Sequence, residues 1–183
     1  MDIDEFWQII ETVHRNSDGD MDRKCELLKE RLSALGEQGL RDFIGHFDAA
    51  DAAAYTWPLW GAAYVMNGGC SDDAFSDFRA TLISQGRTTY QQALINPESL
   101  ADLAFQDEED ICYEGFQYVK NSVAEEKLGK IPQRTTTFPD TPSGTEWDED
   151  SVNSLYPRLS AKYSFSSDGG SDFESTKPWW KFW

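Results

Sequence analysis

The segment that decides the fold is Trp57–Met66, with the sequence WPLWGAAYVM. Nearly every residue in it is apolar or small, a pattern typical of a helix that is buried on most of its circumference. We therefore expect a short helix here, and we expect it to lie at the centre of the fold.

Amphipathic helices are predicted on both sides of this segment, because apolar residues recur there in steps of three and four between capping and turn residues. On the N-terminal side the predicted helices cover residues 2–16, 21–36 and 40–55. On the C-terminal side they cover residues 71–86, 90–94, 97–105 and 107–128, the last one beginning among four acids. Strand-like alternation is absent from the sequence. The prediction is an all-α protein with a single domain of six to eight helices over residues 1–128.

The composition changes after Gly129 to proline, threonine, serine and aspartate, which predicts an extended arm over residues 129–164. Residues 152–163 are apolar enough to form one short helix around Pro157 that packs back on the helical domain. Residues 165–183 are predicted to be a flexible, acidic segment rich in serine and glycine that ends in an aromatic tail.

The charge is strongly negative, since 33 Asp and Glu residues outnumber 16 Lys and Arg residues and give a formal net charge of −17. Binding to nucleic acid or to an anionic membrane surface needs cations, so we expect neither as a direct ligand. The same field attracts and steers a basic protein, which makes a cationic protein the predicted partner. Solubility alone is the alternative interpretation of the charge.

The sequence indicates a reducing, cytosolic environment. Cys25, Cys70 and Cys112 are odd in number and widely spaced, which argues against a disulfide framework or a zinc ribbon. The first residues are acidic where a secretory signal is basic and then apolar, and no apolar run is long enough to cross a membrane. We predict no metal site and no cofactor.

The candidate partner-binding residues fall into two acidic clusters and the aromatic tail. The acidic clusters are Asp107, Glu108, Glu109 and Asp110, and Asp148, Glu149 and Asp150. The tail contributes Trp179, Trp180 and Trp183, whose large rings are costly to leave in water. Docking of these rings on the protein's own domain is the alternative to anchoring on a partner.

The turn after the central segment offers a different candidate site. Trp60 to Phe75 follow the pattern W-x-x-x-Y-x-x-N-G-G-C-S-D-D-x-F. A pocket there would be lined by Trp57, Trp60, Tyr64, Asn67, Cys70, Asp72, Asp73 and Arg79. Cys70 is the one candidate nucleophile, because a nearby helix start stabilises a thiolate, but His14 and His46 are remote and no local base exists. Asp72 and Asp73 would repel a phosphate at this helix start, and Arg79 fits an ion pair better than a substrate clamp.

This pattern resembles the bacterial family known only as domain of unknown function 4240. The resemblance includes Phe78 to Gly86 and the opening Glu5-Phe6-Trp7, and more weakly residues 146–150 and 156–159. It therefore spans residues 1 to about 164. The resemblance implies a cytosolic bacterial protein but no settled activity, so it assigns no functional residue.

Two functions follow from these observations. The first is a non-catalytic acidic binding protein, with the concrete form of an immunity or antitoxin-like protein that neutralises a basic, nuclease-type toxin. The alternative is a small enzyme or ligand-binding regulator with a pocket at the Trp60, Asn67 and Cys70–Asp73 turn.

Overall fold

The computed structural model describes residues 1–163, and this part of the chain is helical, with one isolated β-bridge between Thr56 and Ser143. The α-helices are α1 (Ile3–Asn16), α2 (Met21–Ser33), α3 (Glu37–Ala53), α4 (Trp57–Met66), α5 (Asp72–Ser84), α6 (Arg87–Ile95), α7 (Phe116–Leu128), α8 (Val152–Leu155) and α9 (Pro157–Lys162). Two 3₁₀ helices cover Pro97–Asp102 and Glu108–Cys112. The predicted all-α class is confirmed. None of the helices in the described part combines the length and the apolar character needed to cross a membrane.

Several helix starts are fixed by the capping residues that the sequence offers. The Asp2 carboxylate accepts hydrogen bonds from the first turn of α1 and forms a capping box with Glu5. The Ser71 hydroxyl accepts a hydrogen bond from Ala74 N at the start of α5. These caps satisfy backbone donors that a helix start leaves free, so the boundaries of α1 and α5 were predictable within a residue or two.

The centre of the fold is α5 rather than α4. α5 packs against α1, α3, α4, α6, α7 and the second 3₁₀ helix, and Phe75, Phe78 and Ile83 on it are completely or almost completely buried. α4 is buried as predicted, but it lies towards one side, between α5 and the helices of the C-terminal arm. Its outer side is apolar because the arm covers it.

Two predicted helices are interrupted. The predicted start at 107–110 forms a single 3₁₀ turn, and α7 begins only at Phe116. The chain turns at Gly115, where an added Cβ would lie 2.6 Å from the Tyr113 ring, so a larger residue would displace this ring. In the arm, Pro157 splits the predicted helix of residues 152–163 into α8 and α9, because a residue before proline avoids the helical conformation.

A buried ion network joins four parts of the chain. Asp48 and Asp51, one turn apart on α3, are 3% and 6% exposed. Arg79 Nε of α5 donates to Asp51 Oδ1 at 2.9 Å, and Arg134 of the arm donates to Asp51 Oδ2 at 3.1 Å. Lys120 Nζ of α7 lies 3.2 Å from Asp48 Oδ1, an ion-pair contact rather than a directed hydrogen bond. The network therefore connects α3 with α5, α7 and the arm.

Aromatic rings enclose the cations of this network. The Arg79 guanidinium carbon lies 4.8 Å from the ring centroid of Phe75, 5.0 Å from that of Tyr55 and 5.4 Å from that of Phe138. The guanidinium of Arg134 lies 5.0 Å from the same Phe138 ring. Phe138 belongs to the arm, so cation–π contacts add to the attachment of the arm to the core.

The arm also contacts α4 directly. Trp57 N donates to Ser143 O at 2.8 Å, and the Tyr156 hydroxyl donates to Pro58 O at 2.8 Å. A Cβ added to Gly61 would lie 2.8 Å from Tyr156 and 2.9 Å from Trp147, so the absence of a side chain allows the arm to lie this close. The arm thus forms one wall of the region around α4.

Replacing Asp51 tests the ion network. The Asp51→Asn variant leaves the buried Arg79 without its charged partner, and the free energy of unfolding should fall by about 3–5 kcal/mol in urea titrations. The control is Asp102→Asn, whose exposed ion pair with Arg158 is worth at most about 1 kcal/mol. Equal losses in the two variants would contradict the assigned role.

Replacing Lys24 tests the cost of burying a cation. Lys24 is 1% exposed, and burial lowers the pKa of its amine from 10.5 to about 8. Below pH 8 both states carry the proton and the charged amine destabilises the fold. Between pH 8 and 10.5 the folded state has lost a proton that the unfolded chain keeps, so this penalty disappears as pH rises.

Lys24→Met should therefore be more stable than the wild type at pH 7, by on the order of 3 kcal/mol, and this advantage should shrink towards pH 10.5. Unfolding titrations across this pH range measure it. Lys29→Met, at an exposed position, should differ from the wild type by an amount that pH hardly changes. A pH-independent difference for Lys24→Met would count against the argument.

Candidate functional site

A cavity of about 420 Å³ lies between α4, the turn after it, the start of α5 and the arm. We call it the aromatic cavity. Five of the residues predicted for a pocket line it: Trp57, Trp60, Tyr64, Asn67 and Cys70. The other lining residues are Gly68, Gly69, Ser71, Ala74, Trp147 and Glu149.

The local sequence explains why these side chains meet. Trp57, Trp60 and Tyr64 are three and four residues apart, so they share one face of α4. Gly68 and Gly69 then adopt positive φ angles of 63° and 135°, which turn the chain back over that face. Trp60 Nε1 donates to Cys70 O at 3.0 Å and holds the turn against α4.

Stacking fixes the inner part of the cavity. The Trp60 ring lies between Trp57, at a centroid distance of 5.4 Å, and Phe75, at 4.8 Å, both nearly parallel to it. Trp147 from the arm lies edge-on to Trp57 at 6.1 Å and 4.9 Å from Tyr64. The free surfaces of Trp57, Tyr64 and Trp147 are therefore aromatic walls on a rigid support.

The arm contributes Trp147 and Glu149 to the lining of this cavity. Trp147 Nε1 is buried and has no hydrogen-bond partner among the described residues. Glu149 supplies the one carboxylate of the lining, and it lies close enough to Tyr64 for its charge to add to burial in raising the pKa of that phenol. From the sequence, Glu149 was predicted to lie on a partner-binding surface, and Trp147 was not predicted as a site residue. The one feature that could have indicated Trp147 is that it is a lone tryptophan among acids.

Three residues predicted for the pocket lie elsewhere. Arg79 is 4% exposed and belongs to the buried ion network, so it faces Asp51 rather than the cavity. Asp72 and Asp73 are exposed in the first turn of α5, where their charges complement the helix dipole. The structure therefore brings together the predicted residues of the α4 face and the turn, and it places those of α5 outside the cavity.

The chemistry of Cys70 differs from the expectation. A hydrogen bond with the Cys112 thiol, together with burial, raises the pKa of Cys70 well above its usual range. Cys70 precedes the capping residue of α5, so it lacks the stabilisation that a thiolate gains inside a first helical turn. A thiol held protonated in this way is a poor nucleophile.

No other group in the cavity completes a catalytic arrangement. Neither His14 nor His46 lines the cavity, and His46 contacts Met1 O instead. Within residues 1–163 no three histidine, cysteine or acidic side chains converge in a way that could hold a metal ion. Lys24 Nζ lies 3.3 Å from Ser84 Oγ, but both residues are 1% exposed and neither lines the aromatic cavity.

Acidic residues surround the aromatic cavity and continue along α5. Asp148, Glu149 and Asp150 are exposed at its arm wall, and Asp72 and Asp73 lie beside its turn.

Further along α5 a second cleft contains Asp73, Asp77 and Glu114. Burial raises the pKa of the Asp77 carboxyl, the hydrogen bond from Gln117 opposes this, and the nearby charges of Glu114 and Asp73 raise it further. Carboxylates therefore crowd this side of α5.

The other predicted partner residues are separate from the cavity. Asp107 caps the second 3₁₀ helix, which packs on α5 and contains Glu108, Glu109 and Asp110, and the first three of these acids are exposed. Asp110 is half-buried, and burial raises the pKa of its carboxyl. Trp179, Trp180 and Trp183 lie outside the described residues.

The low reactivity of the thiols is testable. Because burial and the Cys112 contact raise the pKa of Cys70, and burial raises that of Cys25 to about 11, iodoacetamide at about pH 8 should alkylate both at least about tenfold more slowly than a free cysteine. Mass mapping assigns each modified residue, and the urea-unfolded chain is the control. Faster alkylation of folded Cys70 than of the unfolded chain would restore it as a nucleophile.

Comparison with known proteins identifies the family to which this chain belongs. The family model described as "Protein of unknown function (DUF4240)" matches residues 1–126, which include α1–α6, most of α7 and every part of the aromatic cavity except the arm wall. No curated protein and no solved structure matches the chain significantly. The chain therefore belongs to the DUF4240 family.

Proposed function

We propose that this protein is a non-catalytic binding protein whose partner is a basic protein. The observation that carries the proposal is the concentration of carboxylates, without ion-pair partners among residues 1–163, around the aromatic cavity and along the adjoining side of α5. Its concrete form is an immunity or antitoxin-like protein that covers a basic, nuclease-type toxin.

The distribution of cations supports this proposal. The sequence contains no lysine or arginine in residues 42–78, 88–119 or 135–157. The aromatic cavity is built entirely from the first and last of these segments, and the second contributes Glu114 and the acids at 107–110. The one cation on α5, Arg79, is buried against Asp51, so these segments supply no exposed cation beside the acids.

The ion pairs of residues 1–163 lie elsewhere. Asp48 and Asp51 are neutralised inside the protein, and the exposed pairs are Arg23–Glu26, Lys29–Glu126, Arg87–Asp4 and Arg158–Asp102. The acids at the cavity and on the outer side of α5 take part in none of the ion pairs between described residues. An uncompensated charge of one sign attracts a partner of the opposite sign and raises its association rate.

A nuclease fits this description of a partner, because a protein that binds nucleic acid needs a basic surface. An acidic protein that covers such a surface competes with the phosphates of the substrate. Neutralisation then needs no catalytic group, which agrees with a cavity whose thiol is held protonated.

A second candidate function is a ligand-binding regulator that holds a small molecule in the aromatic cavity. The volume of about 420 Å³ favours it, since it falls within the range of small-molecule sites. Such a regulator has no need of the exposed acids outside the cavity. Loss of binding on removal of those acids therefore separates the two functions.

A capture experiment tests the first function. The immobilised full chain is exposed to host extract at about 50 mM and about 200 mM salt, and retained proteins are identified by mass spectrometry. We expect a protein with an isoelectric point above about 9 that is retained mainly at low salt. That protein, purified, should bind the chain in a titration with an affinity that falls as salt rises.

A matched pair of variants completes the test. Glu146→Gln with Asp150→Asn removes two exposed acids beside the cavity, and affinity for the purified partner should fall by about three- to tenfold. The control removes two exposed acids from α2 and α7, with Glu30→Gln and Glu125→Gln, and should bind nearly as the wild type does. Equal effects, or binding that is indifferent to salt, would sink the proposed function.

A further inference from the structure

We propose that the aromatic cavity binds the cationic head of one arginine or lysine side chain of the basic partner. This inference rests on the proposed function and assigns a specific role to the cavity within it. The bound group is a guanidinium or an alkylammonium held against aromatic faces beside a carboxylate.

The aromatic walls supply the first part of the argument. The face of an indole or phenol ring carries a negative potential that attracts a cation, and tryptophan attracts it best. Trp57, Tyr64 and Trp147 meet around the cavity at centroid distances of 4.9–6.1 Å. Three such rings in one cavity provide more of this surface than a single stacking contact.

The use of aromatic rings elsewhere in the chain supplies the second part. Arg79 lies over Phe75 and Tyr55, so aromatic faces already bind a cation in this protein. Among the described residues no lysine or arginine lies over Trp57, Tyr64 or Trp147. No cation of residues 1–163 therefore competes with a partner's side chain for these rings.

The charge around the cavity supplies the third part. Glu149 lines it, and Asp148 and Asp150 flank that residue on the exposed arm. An apolar or aromatic side chain gains nothing from a carboxylate beside it, whereas a cation gains a charge-assisted contact. Charge complementarity therefore selects a cationic occupant over an apolar one.

The size of the cavity favours a side chain of a protein over a free amine. A volume of about 420 Å³ holds one long side chain together with the adjoining main chain, whereas a small amine fills only part of it.

The test uses N-acetyl-L-arginine N-methylamide as the probe, titrated into the full ¹⁵N-labelled chain. Indole N–H signals of Trp57, Trp60 and Trp147, assigned from single Trp→Phe variants, report occupancy of the cavity. We expect these signals to shift with saturation. The matched ligand is the citrulline derivative, which has nearly the same shape without the charge, and it should bind about tenfold more weakly. Tetramethylammonium, a small cation that fills only part of the cavity, should bind more weakly than the arginine derivative.

Two acids provide the matched variants. Glu149→Gln removes the carboxylate that lines the cavity, and Glu125→Gln removes an exposed one on α7 that does not line it. Glu149→Gln should weaken the arginine derivative several-fold and leave the citrulline derivative unchanged. Glu125→Gln should change neither by a comparable amount. Both positions are exposed, so both variants should fold.

Three results would overturn the inference: equal binding of the arginine and citrulline derivatives, stronger binding of indole than of either, or no shift of the cavity signals at saturating probe. If one of these occurs while the purified basic partner still binds in a salt-dependent way, the proposed function stands and its anchor lies outside the cavity. If the arginine derivative binds but no basic protein does, the proposed function fails, and with it the assignment of the occupant to a partner.

Discussion

The two buried carboxylates of α3 are the constraint on which the rest of the arrangement depends. Asp48 and Asp51 cannot stay charged in the interior without partners, because the desolvation of an unpaired carboxylate costs several kcal/mol. Their partners come from α5, α7 and the arm, so satisfying them brings four distant parts of the chain together. Once Arg134 and Phe138 are held, the arm reaches α4, and the fourth wall of the aromatic cavity is in place.

Local patterns in the sequence were sufficient to predict the helices but not the buried contacts that connect them. Capping residues and apolar periodicity predicted α1, α2 and α5 closely, because both signals act within a few residues. The central position of α5 was not predictable, since its buried polar residue Arg79 reads as an interruption of an apolar face. From the sequence alone, Asp48 and Asp51 would be interpreted as solvent-exposed acids in an alanine-rich helix. Only their partners, far away in the chain, show that they are interior.

The residues of the candidate site were likewise predictable from the sequence only in part. Trp57, Trp60 and Tyr64 share a helix face and were predictable from spacing, and the glycine turn that closes over them has a recognisable signature. Trp147 and Glu149 come from about 80 residues further along, and nothing local connects them with α4. The protein also uses its acids in two opposite ways. Those inside are matched by cations and organise the core, whereas those around the cavity have no counterpart among the described residues and make the electrostatic field at this surface negative.

The shared construction of the aromatic cavity has a thermodynamic consequence. Three of its rings belong to α4 and one to the arm, so any occupant that touches both acts as a bridge between them. Linkage then requires that occupancy strengthen the attachment of the arm, and that a loosened arm weaken the occupant by the same factor. Gly61 contacts Tyr156 and Trp147 so closely that a methyl group would not fit between them. This close approach determines how near the arm lies to α4. The strength with which the arm is attached to α4 therefore depends on what occupies the aromatic cavity.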